Sequence, residues 1–194
     1  MEAFPAFFPL SGARVVIAGE GEGAEAKARL LAGSPARIDR VRGAAALRAE
    51  TYASAALVFV ASPDAGFCRE AAQAARTAGA PVNVVDHPEL CDFHTPAIID
   101  RGQVVAAIGT GGAAPIVSAL LRAELEAKIP PGLGQLATLF GALRPQIVGA
   151  FPDLAQRRAF LRALLSGPAA EAADAGDLAG AEQLIRAELA KGVA

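Results

Sequence analysis

Residues 14–32 read RVVIAGEGEGAEAKARLLA. An apolar run, Arg14–Ala18, enters a glycine turn, and a helical pattern follows with alanine and leucine along one face. A strand delivered straight into such a turn and helix is the opening of a βαβ unit. In the spacing Gly19-x-Gly21-x-x-Ala24, Gly19 permits a tight turn and Gly21 lets the backbone approach a pyrophosphate. Ala24 is small enough for the helix to pack on the strand, and the helix N-terminus faces the anion. A dinucleotide-binding domain also needs an acid about 20 residues on, to hold the ribose hydroxyls. Asp39 lies 39 − 19 = 20 positions after Gly19, near the end of a second apolar run, Ala36–Val41. Its carboxylate would repel a 2′-phosphate, so NAD is expected over NADP, although Arg40 and Arg42 stand close by. Glu20 and Glu22 are unusual neighbours for a phosphate, and the bland alternative is a glycine turn in an empty Rossmann-like domain.

The same grammar continues outward. Ala56–Ala61 is the clearest strand in the chain, Ala65–Thr77 is helical until Gly79 and Pro81 stop it, and Val82–Val85 forms a fourth strand ending at Asp86. The expected fold class is α/β, a Rossmann-like parallel sheet over residues 1–95. Gly21, Ser62 and Asp86 each follow the apolar body of a strand. All three therefore belong to one crevice at the carboxyl edge, where open parallel sheets bind ligands. A carboxylate there is a natural general base, or else it only orders the loop before Pro88.

Asp86, His87, Cys91, Asp92 and His94 fall within nine positions and include both histidines of the chain. The spacing of His87, Cys91 and His94 would align them on a helix and suit zinc. Pro88 and Pro96 leave room for at most one or two turns between them, and no matching fourth ligand appears, so no bound metal is expected. Nothing indicates a base that would make Cys91 a nucleophile.

After Pro96 the pattern changes. Ala97–Gly109 reads as two antiparallel strands, Ile116–Lys128 as a helix, and Leu133–Leu143, Asp153–Leu165 and Leu178–Leu189 as further helices. The stretch SGPAAEAADAGD, residues 166–177, reads as flexible or weakly helical. Three regions result: residues 1–95, 96–128 and 129–194. With 53% hydrophobic and 20% charged residues among 194, the chain is globular. A net charge of −2 offers no basic stripe, so nucleic acid is not an expected partner. The opening MEAFPAFFPL lacks the basic region of a secretory signal, no apolar run is long enough to span a membrane, and the two cysteines suit a reducing cytosol. A soluble cytoplasmic protein is expected.

Three blocks resemble the N-terminal module of siroheme synthase, the precorrin-2 dehydrogenase and sirohydrochlorin ferrochelatase family. FPAFFPLSGARVVIAGEGEGAEAKARLL (residues 4–31) is similar to the family's opening strand, glycine turn and A-x-x-K-A-R-L-L helix. VNVVDHPELCDFHTPAIIDRGQVVAAIGTGGAAP (residues 82–115) is similar to its most specific block, and LLRAELEAKIPPGLGQLATL (residues 120–139) to its next helix and loop. The resemblance implies NAD-dependent oxidation of precorrin-2 to sirohydrochlorin, then insertion of Fe²⁺, a substrate, to give siroheme. It assigns the catalytic acid to Asp86, a tetrapyrrole contact to Thr110, and NAD contacts to Glu22 and Gly23. His87 and His94 are expected to line the tetrapyrrole side, and Gly19, Gly21, Ala24, Asp39 and Ser62 the cofactor side. Residues from about Pro96 to Lys128 resemble the family's dimerisation element, so a homodimer is expected, with Val104, Ala106 and Ile108 buried against the second subunit.

The chain departs from the family pattern in three places. About 14 residues separate Val41 from Ala56, where the family has a further helix and strand. Glu20 replaces a glycine of the triple-glycine turn. No methyltransferase domain follows the helical tail, as expected of a stand-alone form. The first two departures favour a rival reading, a nucleotide-sensing or scaffold protein that keeps the fold without catalysis.

Overall fold

The computed structural model describes residues 3–192, so Glu2 of the opening segment lies outside it. Two compact units are present: residues up to Thr95 with Gly111–Ala113, and Pro96–Thr110 with the chain from Ala114 onward.

The first unit is a four-stranded parallel sheet in the order β2-β1-β3-β4. Its elements are β1 (Arg14–Gly19), α1 (Glu22–Leu31), β2 (Arg37–Val41), β3 (Ala55–Ala61), α2 (Ala65–Thr77) and β4 (Val82–Val84). The Rossmann-like expectation is met, and strand order reverses between β1 and β3, which places a ligand crevice at their carboxyl ends. The near-continuous apolar runs of β1 and β3 reflect burial on both faces. Val15, Ile17, Leu57 and Phe59 pack with Ala24 and Leu31 of α1 on one face. On the other, Val16, Ala18, Val58 and Val60 pack with the alanines of α2. Asp64 starts α2 by accepting the amides of Gly66 at 2.7 Å and Phe67 at 3.3 Å.

Residues between β2 and β3 form two 3₁₀ helices, Gly43–Leu47 and Ala49–Tyr52, which pack against α2. The short segment thus covers the α2 face of the core. Its anchor is Tyr52, wholly buried, whose hydroxyl donates to the Ala46 carbonyl at 2.5 Å. Burial pushes the Tyr52 phenol up to about 12. The folded pKa therefore exceeds the usual unfolded value of about 10. This contribution to stability is complete below pH ~10 and is lost as pH rises toward 12. In Tyr52→Phe, urea unfolding at neutral pH should show a loss of about 1–2 kcal/mol, because the buried Ala46 carbonyl loses its donor. The steep alkaline fall should flatten in the same variant.

The fourth strand ends at Val84, one residue before the expected end, and Val85 adds a last sheet bond to the Val60 carbonyl at 2.9 Å. The following loop folds back along β4. The Asp92 amide donates to Val82 O at 2.8 Å, its carboxylate accepts the Val82 amide at 3.0 Å, and Asn83 Nδ2 donates to Phe93 O at 2.9 Å. Cys91 Sγ accepts the Val84 amide at 3.1 Å. An otherwise open sheet edge is covered this way, which accounts for Cys91 and Asp92.

The second unit contains the hairpin β5 (Ala97–Arg101) and β6 (Val104–Ile108), antiparallel as expected. Six helices follow: α3 (Pro115–Glu126), α4 (Gly132–Ala142), α5 (Arg144–Ala150), α6 (Leu154–Leu165), α7 (Pro168–Asp174) and α8 (Leu178–Gly192). The segment read as flexible or weakly helical contains α7, whose Ala169 and Ala173 are buried with Leu136 and Ile185. Alanine spaced by four gives a weak hydrophobic signal but a close-packing face. The helix α5 was not anticipated; its Pro145 sits in the first turn, where a missing N–H costs nothing. In β6, Val104, Ala106 and Ile108 are already half-buried, in a unit where α3 and α4 pack on the hairpin. Exposed apolar side chains of this unit include Ile116 (76%) and Leu120 (61%) on α3.

Candidate active site

An open crevice of about 470 Å³ lies at the carboxyl edge of the sheet, between the glycine turn Glu20–Gly23, the β3 end Ala61–Pro63 and the β4 end Val85–His87. Gly19 has φ 105, and a Cβ there would stand 1.9 Å from the Ala61 carbonyl, which also accepts the Glu20 amide at 3.0 Å. Only glycine lets the turn lie this close to β3. Gly21, at φ 87, is the N-cap of α1 and faces open space. The first bond of the helix is Glu25 N to Gly21 O at 3.1 Å, so the amides of Glu22, Gly23 and Ala24 precede the intrahelical ladder. Oriented donors at a positive helix end beside an open crevice suit a pyrophosphate. A Cβ on Gly23 would press on Ala61 and Val85, both at 3.2 Å, so a small residue is needed there too. Ala24 is wholly buried against the sheet. The Glu22 carboxylate pairs with Arg29 along the exposed side of α1.

Asp86 stands across the crevice, exposed, with φ 62. Its turn is closed by the His87 amide donating to Val84 O at 3.3 Å. Asp tolerates this left-handed backbone better than most residues, yet the conformation is held by the surrounding loop rather than preferred. His87 also lines the crevice, half-buried, with Nδ1 at 3.1 Å from Glu89 Oε1. The Glu89 carboxyl is held below its usual range by its own backbone amide first and by His87 second. Ser62 lines the crevice as expected, its Oγ accepting the Asp64 amide at 3.1 Å.

The surroundings of three further expected residues are as follows. His94 is exposed and outside the crevice lining. Thr110 belongs to the second unit, where its Oγ1 accepts the Ala114 amide at 3.3 Å across the turn containing Gly111 (φ 61) and Gly112 (φ 83). Asp39 pairs with Val16 in mid-strand, two residues short of the end of β2, and its carboxylate accepts from Arg14 Nε at 2.7 Å. The residue expected to hold the ribose is thus paired with an arginine at the start of β1. Among the described residues no group of three or more His, Cys, Asp or Glu is arranged to hold a metal. Burial raises the thiols of Cys68 and Cys91, so neither is an activated nucleophile.

Lys27 was not anticipated. It extends from α1 to donate to Thr95 Oγ1 at 2.9 Å, with Nζ 5.2 Å from the centre of the Phe59 ring. Burial lowers its pKa, while Cys91 and Asp86 act in the opposite sense. A visible signal existed: Lys27 interrupts the apolar face formed by Ala24, Ala28 and Leu31.

Comparison with known proteins gives one family per unit. Residues 6–97 match an NAD(P)-binding family, and residues 132–189 match the sirohaem synthase dimerisation region. The latter lies beyond residues 96–128, where the dimerisation element was expected. Siroheme synthase of Pseudomonas paraeruginosa (strain DSM 24068 / PA7) is 39% identical over 100% of this chain and 46% of its own length. That of Stutzerimonas stutzeri (strain A1501) is 40% identical over 98% of this chain and 45% of its own. The chain thus spans about half the length of the curated relatives it matches. The solved structure of SirC, precorrin-2 dehydrogenase, shares the fold at a TM-score of 0.57 and 16% identity, covering 95% of this chain and 99% of that one. With a match in each unit and identity running end to end, the chain corresponds to the N-terminal part of the siroheme synthases it is similar to.

Proposed function

We propose that the chain is an NAD(P)-dependent dehydrogenase that oxidises precorrin-2 to sirohydrochlorin, with Fe²⁺ insertion to siroheme following on the same protein. The observation that carries this reading is Asp86, an exposed carboxylate held at φ 62 across the crevice from a glycine turn built for a dinucleotide. The oxidation removes two hydrogens from the tetrapyrrole, one as a hydride and one as a proton. The nicotinamide, when bound, accepts the hydride. Asp86 accepts the proton and, being exposed, passes it to water. The amides at the start of α1 hold the pyrophosphate, and Ser62 and Gly23 shape the wall beside it. His87, His94 and Thr110 are tetrapyrrole contacts in this reading. In chelation the pyrrole N–H protons leave as Fe²⁺ enters, and Asp86 accepts one of them.

The dehydrogenation is tested by mixing the protein with precorrin-2 and dinucleotide. Growth of the sirohydrochlorin spectrum supports it, and an unchanged spectrum favours the rival, a nucleotide-binding protein without catalysis, for which Glu20 in the glycine turn speaks. Sirohydrochlorin and Fe²⁺ supplied without dinucleotide isolate the second step. Siroheme should then form faster than in protein-free buffer.

The active form is a cytoplasmic homodimer. The family description of residues 132–189 supports the dimer, and the exposed apolar face of α3, led by Ile116 and Leu120, is a surface it would cover. Free Cys68 and Cys91 suit a reducing compartment, and no helix among the described residues is long and apolar enough to cross a membrane. Leu120→Glu should convert the dimer to monomer in light scattering at micromolar concentration, because it buries a charge in the interface.

A further inference from the structure

We infer that Glu20 is a second proton acceptor of the crevice, used in metal insertion and not in the dehydrogenation. The inference rests on the reading of the crevice as a site for tetrapyrrole oxidation and Fe²⁺ insertion. Entry of Fe²⁺ breaks two pyrrole N–H bonds and puts metal–nitrogen bonds in their place. The iron stays ferrous, no electron is transferred, and two protons leave. Asp86 accepts one of them, so the other needs a second base. The dehydrogenation releases a single proton and needs Asp86 alone.

The acids near the glycine turn are mostly engaged. Glu22 is paired with Arg29, and Glu25 with Arg40. Asp64 accepts the first amides of α2, and Glu89 Oε1 lies 3.1 Å from His87 Nδ1. Glu20 is different. It lines the crevice, it is exposed, and no hydrogen bond or ion pair engages its carboxylate among the described residues. Its backbone is fixed all the same, with the amide donating to Ala61 O at 3.0 Å between Gly19 at φ 105 and Gly21 at φ 87. The carboxylate therefore starts from a turn bound to β3 and not from a free loop. The dipole of α1 does not require it, because Glu22 and Glu25 already stand in the first turn.

Placement suits a pair of acceptors. β3 lies between β1 and β4 in the sheet, so Glu20 and Asp86 rise from walls two strand spacings, about 10 Å, apart. A flat macrocycle seated between them presents one face to each. His87 also lines the crevice, but it follows Asp86 on the same wall and serves the same face. Being exposed, Glu20 passes its proton on to water.

The two reactions, measured separately on the whole chain by anaerobic stopped-flow absorbance, test this. Glu20→Gln keeps the shape of the side chain and removes its basicity. With sirohydrochlorin and saturating Fe²⁺, it should form siroheme about 10²-fold more slowly than the parent, with an unchanged KM for Fe²⁺. With precorrin-2 and saturating dinucleotide, its rate of sirohydrochlorin formation should not fall. Glu20→Asp should recover part of the lost insertion rate, and the unfolding midpoint of both variants should match the parent. Siroheme formation at the parent rate in Glu20→Gln overturns the inference and leaves the crevice reading intact. Equal slowing of both reactions, or a rise in the KM for Fe²⁺ as the sole effect, does the same. A parent protein that forms siroheme no faster than protein-free buffer overturns the metal-insertion reading together with the inference.

Discussion

Replacing Asp86 with alanine is expected to slow formation of reduced nicotinamide by about 10²–10⁴-fold, the usual contribution of a positioned acid or base. Dinucleotide affinity should persist, because the glycine turn across the crevice carries it. Asp86 has φ 62 and lines the crevice while taking no place in the core, so the fold should survive as well. Asp86→Asn is the cleaner variant. Asparagine tolerates the left-handed region, so the amide removes basicity without adding the roughly 1–2 kcal/mol of strain that alanine brings. His87→Ala should be milder, as it loses a crevice contact without losing the proton acceptor, and His94→Ala milder still. Cys91→Ala should cost stability rather than activity, since its sulfur holds the Val84 amide. A zinc site would produce the opposite order, with the His and Cys variants inactive and the Asp86 variants tolerated.

Gly19→Ala is expected to be the most damaging single methyl group in the first unit. Its Cβ would lie 1.9 Å from the Ala61 carbonyl at φ 105, so β1 and β3 would have to separate where they build the crevice. Such a clash on backbone, added to left-handed strain, should exceed about 3 kcal/mol. Dinucleotide binding should be lost with it. Gly21→Ala is the control: at φ 87 with nothing within 4 Å of its Cβ, it should bear only strain of about 1–2 kcal/mol. Urea unfolding and calorimetry on the pair separate clash from strain.

The parallel sheet was legible in the sequence because its central strands are buried on both faces and read as unbroken apolar runs, and because Gly79 and Pro81 stop α2. Asp86 was legible for the same reason: a carboxylate ending an apolar run in this fold lies at the carboxyl edge. The surroundings of Asp39 were not legible, because spacing along the chain does not reveal which half of a strand a side chain serves. Arg14, 25 residues earlier, captures its carboxylate, and only the β1–β2 register brings the two together. The loop after Asp86 looked like a metal cluster because side chains that cover a sheet edge are drawn from the same residue types as ligands. α7 read only as flexible or weakly helical because alanine packs closely with little hydrophobic signal. Lys27 was visible as a charge on an apolar face, but its partners, Phe59 and Thr95, come from distant segments.

The most direct measurement of the central claim is the stoichiometry of a single turnover, followed anaerobically by absorbance with precorrin-2 and dinucleotide. One reduced nicotinamide should appear for each sirohydrochlorin in the parent protein, at the same rate, and neither should accumulate on that timescale with Asp86→Asn. Sirohydrochlorin forming at the parent rate in the Asp86→Asn variant, or forming without reduced nicotinamide, would contradict the account.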